Sequence, residues 1–253
     1  MPATYALHRF GADALRRLPG QMQQPILRFR RLYNAGLHGA DLFFFASPTV
    51  DLYRVCGGMT GADFFAGAAA YLKQNPSEGG TACLYGLLGW YCLYTQLSSL
   101  INEATTQGIA SRVELEVELD RYLLGLDGKT PAHTHDMSPQ LKMTRGECVT
   151  MAGFFPAVTV RNFYSAHRGM VRWTHRMSRP KRTLTALRLK LARTEFALQM
   201  MPDHANHKCL HLDKPMLECY DRALEMYPDM ARQLEVFFRN GTPLGEEFSR
   251  TIF

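Results

Sequence analysis

The chain has 253 residues, 46% of them apolar, and 29 basic against 23 acidic side chains. That apolar content is enough to bury a full core, so the fold need not depend on disulfides or a structural metal. The longest apolar run, Ala82 to Tyr94, is 13 residues, short of the roughly 20 that a membrane-spanning helix requires, which excludes a span and predicts a buried helix.

Taken in chain order, the pattern predicts a single all-α domain over residues 1–253, a multi-helix bundle. The start, Met1 to His8, lacks the basic stretch and apolar run of a signal peptide, which predicts a cytoplasmic location. Arg9 to Leu18 and Met22 to Tyr33 space their apolar residues as helices, divided by Pro19-Gly20 and closed by Gly36. Gly36-Leu37-His38-Gly39-Ala40-Asp41 is a glycine-bracketed turn whose polar side chains can point into a cavity, and the phenylalanines 43 to 45 that follow read as core. Gly61 to Lys73 predicts a helix stopped by Asn75-Pro76. Thr81 to Ala104 is the expected central helix, apolar nearly all round, with Gly86 and Gly89 pointing to a close neighbour. Ser111 to Leu124 alternates like a strand over Val113 to Leu119, yet its Leu and Glu content favours a helix.

Asp127 to Met143, with Gly128, Pro131 and Pro139, reads as a long connection. Its His133-Thr134-His135 looks ligand-like but suits an exposed loop better. Glu147 to Arg176, Thr183 to Met200 and Pro215 to Phe238 are the remaining predicted helices. Between the last two, His204, His207 and His211 would share a face if helical, while the bounding Pro202 and Pro215 favour a loop equally. The cysteines Cys56, Cys83, Cys92, Cys148, Cys209 and Cys219 show no CxxC spacing and read as free, buried residues of a reducing compartment.

Charge is segregated along this order. Residues 148 to 194 hold no acid but ten basic side chains, among them Arg161, Arg168, Arg172, Arg176, Arg179, Lys181 and Arg182, while the rest of the chain balances at −4. Such a segment is a candidate anion-binding surface for phospholipid headgroups or nucleic acid. The plainer reading is a solvated face neutralised by carboxylates elsewhere in the fold.

Four short stretches, in order, resemble one family. Thr4-Tyr5-Ala6 with Arg9-Phe10-Gly11, the turn Gly36 to Asp41, Leu84-Tyr85-Gly86, and Leu115-Glu116-Val117-Glu118-Leu119-Asp120-Arg121 are similar to the bacterial zinc-dependent phospholipase C family, as far as about Asp127. The resemblance implies a helical bundle around a zinc cluster whose bound water attacks a phosphodiester. It also implies histidine and carboxylate ligands on facing helices. Most of those positions hold other residues here: Leu7, Thr60, Trp90, Tyr94, Ser98 and Arg112. Asp41 and Glu116 remain as carboxylates, with His38 and the displaced His8 nearby. Two carboxylates do not make a zinc cluster of that type, so no zinc is expected unless the site survives in altered form.

The replacements predict a filled site, with Trp90 and Tyr94 occupying the cavity and Arg112 neutralising Glu116 and reaching Asp41. The expected function is a non-catalytic binding or scaffold module, acting on a protein partner or at an anionic phospholipid surface. An active metal-dependent phosphodiester hydrolase with a rearranged site, using Asp41, Glu116, His38, His8 or the distal histidines, is the alternative. A nucleic-acid-associated protein built on residues 161 to 193 is a further one.

Overall fold

The computed structural model describes residues 4–45, 58–178, 198–202 and 204–252. Among them the chain is all-helical, and the one β-type contact is an isolated antiparallel bridge between Thr60 and Thr251. The helices are α1 (Thr4–Arg17), α2 (Gly20–Arg28), α3 (Arg30–Gly36), α4 (Gly61–Gln74), α5 (Glu78–Thr106), α6 (Arg112–Leu126), α7 (Arg145–Ala152), α8 (Val160–Met177) and α9 (Asp213–Asn240). No helix among the described residues is long and apolar enough to cross a membrane.

Helix α5 is the axis of the bundle. Its 29 residues run about 43 Å at 1.5 Å per residue, and α1, α2, α3 and α9 pack around it. The approach of α3 is backbone on backbone: a Cβ on Gly86 would lie 2.2 Å from the Tyr33 carbonyl oxygen, and one on Gly36 would lie 2.4 Å from that of Cys83. Glycine is therefore required on both sides of this crossing. Helix α9 is tied to α5 by the Tyr227 hydroxyl, which donates to the Tyr85 carbonyl at 2.9 Å.

Side chains fix where the helices begin. Thr60 with Asp63, Ser111 with Glu114 and Thr144 with Glu147 form reciprocal capping boxes at the starts of α4, α6 and α7. Ser111 resolves the ambiguity of the alternating segment in favour of helix, because a satisfied N-terminus suits strong helix formers. The start of α1 is capped from a distance: the buried Asp120 carboxylate of α6 accepts the backbone N–H groups of Tyr5 at 2.9 Å and Ala6 at 2.7 Å. That cap holds the first described turn of α1, which is already helical at Thr4, five residues before the predicted start at Arg9.

Other expectations need correction. The predicted helix Met22 to Tyr33 is two, α2 and α3, divided at Phe29, whose φ of −117° and ψ of 44° leave the helical region. The predicted helix Glu147 to Arg176 is likewise two, α7 and α8. Pro156 cannot donate a helical hydrogen bond, and Thr159 caps a new start by accepting from the Asn162 N–H. Of the phenylalanines 43 to 45 only Phe43 is core; Phe44 is 46% exposed and Phe45 half-buried. The segment holding His204, His207 and His211 is a loop ending in a 3-10 turn, so the three do not share a helix face, and all are exposed. Cys83, Cys92, Cys148, Cys209 and Cys219 are free and buried. Cys56 and most of the predicted helix Thr183 to Met200 lie outside the described residues.

Candidate functional site

The site begins at the turn after α3. Gly39 adopts φ +48°, and a Cβ there would lie 2.1 Å from the Trp90 indole, so the turn rests directly on that ring. A 3-10 turn over Gly39–Phe45 follows and carries Asp41 inward, where its Oδ2 accepts the Trp90 indole N–H at 2.9 Å. Trp90 is 1% exposed. Its ring meets Phe64 edge-on at 6.5 Å and lies tilted against Tyr94, one turn along α5, at 6.1 Å.

The opposite wall comes from α6. Arg112 is its first residue, directly after the Ser111 cap, and Glu116 follows one turn later. The Arg112 Nε donates to Glu116 Oε1 at 3.0 Å, and the guanidinium stands over the Tyr94 ring at 4.9 Å. Leu7, Asp41, Trp90, Tyr94, Arg112 and Glu116 thus line one cavity of about 40 Å³, partly open to solvent.

Burial and the nearby Glu116 charge push the Asp41 carboxyl up to about 7, against the indole hydrogen bond and the Arg112 charge, which pull it down. Burial weakens the charge on Arg112, but Glu116 and Tyr94 outweigh it and hold the guanidinium above its ordinary range. His38, fully buried, is pushed down to about 3 by desolvation and by His8. His8 falls to about 4 through burial and the charges of Arg30, Lys129 and His135. Both imidazoles are neutral at pH 7, and neither lines the cavity with Asp41 and Glu116.

Three sequence-based placements change. Arg112 makes no hydrogen bond to Asp41: the guanidinium bonds Glu116, the Asp41 carboxylate takes the indole N–H, and Arg112 acts on Asp41 through its charge alone. Thr60 is not in the cavity: its hydroxyl is engaged in the α4 capping box. Ser98 is also absent and donates to the Thr95 carbonyl of its own helix at 3.1 Å. Helical rotation accounts for that: at about 100° per residue, positions seven and eleven beyond Trp90 return to within about 20° of it, whereas the eighth is turned by about 80°. Leu97 and Ile101 occupy those returning positions and, with Leu93, complete the wall. The 3.6-residue period of α5 carried this signal.

Asp120 has a role that the sequence reading missed. Its carboxyl, pushed up to about 7 by burial, is held by the α1 backbone rather than by a ligand. It also borders a separate cleft lined by Tyr5, His133, His135, Trp173 and Gln199. On α8, Arg161, Arg168, Arg172 and Arg176 are all exposed, while Arg179, Lys181 and Arg182 lie outside the described residues. The donor set does not fit a zinc cluster. The cavity offers two carboxylates, one bonded to an indole and one to a guanidinium, and among the described residues no three His, Cys, Asp or Glu side chains converge.

No protein-family model, no curated protein and no solved structure matches the chain.

Proposed function

We propose that the chain is a non-catalytic binding or scaffold module, a helical frame of the phospholipase C type whose zinc site has become a filled, charge-balanced cavity. The observation that supports this most is the Trp90–Asp41 hydrogen bond. Phosphodiester cleavage by metal-bound water needs several nitrogen and oxygen ligands converging on the metal, with one position left open. Here an indole occupies the space beside Asp41, and the Arg112 guanidinium supplies a fixed positive charge at Glu116. Indole and guanidinium groups bind no zinc, and burial holds the Tyr94 hydroxyl in its neutral form, a poor ligand. A reducing, cytoplasmic setting suits the reading, since the described cysteines are free and buried.

Metal content and turnover test it. The purified chain is expected to hold no stoichiometric zinc and to leave a choline-phosphate diester uncleaved. Tight zinc binding that Asp41→Ala and Glu116→Ala abolish, accompanied by cleavage, overturns the proposal in favour of an active hydrolase.

A further inference from the structure

The exposed positions of α8 form a winding band. Tyr164, Arg168, Arg172 and Arg176 recur every four residues, and each step advances about 40°, so the band sweeps about 120° around the helix. Arg161, Arg168 and Arg172 fall within about 40° of one another at its centre, with Val160 and Arg176 at its edges. The opposite face, Phe163, Ala166, His167 and Met170, is buried in the bundle. The helix is thus anchored by one side and displays a continuous basic stripe on the other.

Two observations separate this stripe from an ordinary solvated face. First, none of Arg161, Arg168, Arg172 and Arg176 pairs with a carboxylate among the described residues; the one interaction found is that of Arg168, whose guanidinium stands over the Tyr164 ring at 5.6 Å. Elsewhere on the described surface, Arg28, Arg232 and Arg239 have acidic partners, and exposed arginines that lack one, such as Arg17 and Arg145, lie on other helices, whereas α8 gathers four. Second, apolar side chains are interleaved with the charges. Val160 and Tyr164 are exposed on the stripe. Phe44 is exposed beside it, since the adjoining Phe45 packs on Gly169, where a Cβ would lie 2.6 Å from the Phe45 carbonyl oxygen.

From this geometry we infer that the outer face of α8 docks on an anionic phospholipid bilayer, with Arg161, Arg168, Arg172 and Arg176 at the headgroup phosphates and Val160, Tyr164 and Phe44 at the acyl boundary. The inference rests on the reading of the chain as a binding module and names its partner. Unpaired arginines match a negative surface, and they keep their hydrated charge while their stems lie along apolar groups. An aliphatic and two aromatic side chains on the same surface gain by entering the interface, which a phosphate backbone in water does not offer them. The absence of acids from residues 148 to 194 removes the like-charge repulsion that would oppose docking.

Sedimentation of the full chain with phosphatidylcholine vesicles, with and without phosphatidylserine, tests this. Binding is expected only with the anionic lipid and is expected to weaken as salt is raised. Each basic residue near such a surface contributes roughly a fivefold factor, so R168E/R172E/R176E is expected to weaken binding roughly a hundredfold or more. A second variant of the same charge change on other elements, R17E/K208E/K214E, is expected to keep most of the binding, and Y164A is expected to lose part of it at unchanged salt dependence. Equal loss in both triple variants overturns the assignment of the face. Duplex DNA or single-stranded RNA bound as tightly as the anionic vesicles overturns the choice of partner, as does indifference to phosphatidylserine. A zinc-loaded, hydrolytic chain that still docks through α8 sinks only the reading of the cavity; a zinc-free chain that ignores anionic vesicles sinks only the docking face.

Discussion

Asp41 is held between opposing influences. Burial and Glu116 disfavour its charge, while the Trp90 N–H and Arg112 favour it, and burial prevails, with the carboxyl at about 7 against an ordinary 3.8. A carboxyl whose folded value is raised binds its proton more tightly in the folded chain. Its ionisation therefore costs stability, fully above about pH 7 and progressively less as pH falls towards 3.8. The lowered His38 and His8 act in the opposite sense, costing stability as pH falls below 6.5. The Asp41 contribution is thus best read as a difference. In urea unfolding, Asp41→Asn keeps an acceptor for the indole and is expected to gain most over the parent above pH 7, with the gain shrinking towards pH 4. A pH-independent difference would show that folding does not raise the Asp41 carboxyl above its ordinary value. Helical spacing pairs Trp90 with Tyr94 and Arg112 with Glu116; that these pairs would meet Asp41 was an expectation drawn from the family resemblance, not from spacing. The indole's preference for Asp41 was legible in neither: which of two donors reaches a carboxylate depends on a few ångströms of packing that no spacing rule supplies.

At the scale of elements, the crossing of α3 and α5 is set by Gly36 and Gly86. Alanine is a better helix former than glycine by up to about 1 kcal/mol, but a methyl group at position 86 meets a carbonyl oxygen that cannot move without moving α3. Gly86→Ala is expected to destabilise by roughly 1–3 kcal/mol in denaturant titration. Gly67→Ala, on the exposed side of α4 with nothing within 4 Å of the added methyl group, is expected to stabilise by up to about 1 kcal/mol. A gain at both positions would mean that the helices can separate at little cost. Helix positions were largely legible from apolar period and breakers, as Asn75-Pro76 after α4 and the close approach expected at Gly86 show. Boundaries failed where the deciding partner is distant in sequence, as with Asp120 capping α1. They also failed where a breaker was read through, as at Pro156.

At the scale of the molecule, apolar and charged residues are sorted twice, once between core and surface and once between α8 and the rest of the surface. The first sorting explains an all-helical bundle around α5. The second leaves arginines without acidic partners, so the balance of charge along the chain, visible before any fold is known, carries over into three dimensions along α8. The cavity adds an optical property to this architecture. The chain has two tryptophans; Trp173 borders a separate cleft, and Trp90 is shielded from water with its N–H on a carboxylate that titrates near neutrality. An indole's emission depends on the charge beside its ring nitrogen, so the site contains its own fluorophore. Light from Trp90 carries the protonation state of Asp41 and any change in what occupies the cavity, without a label being attached.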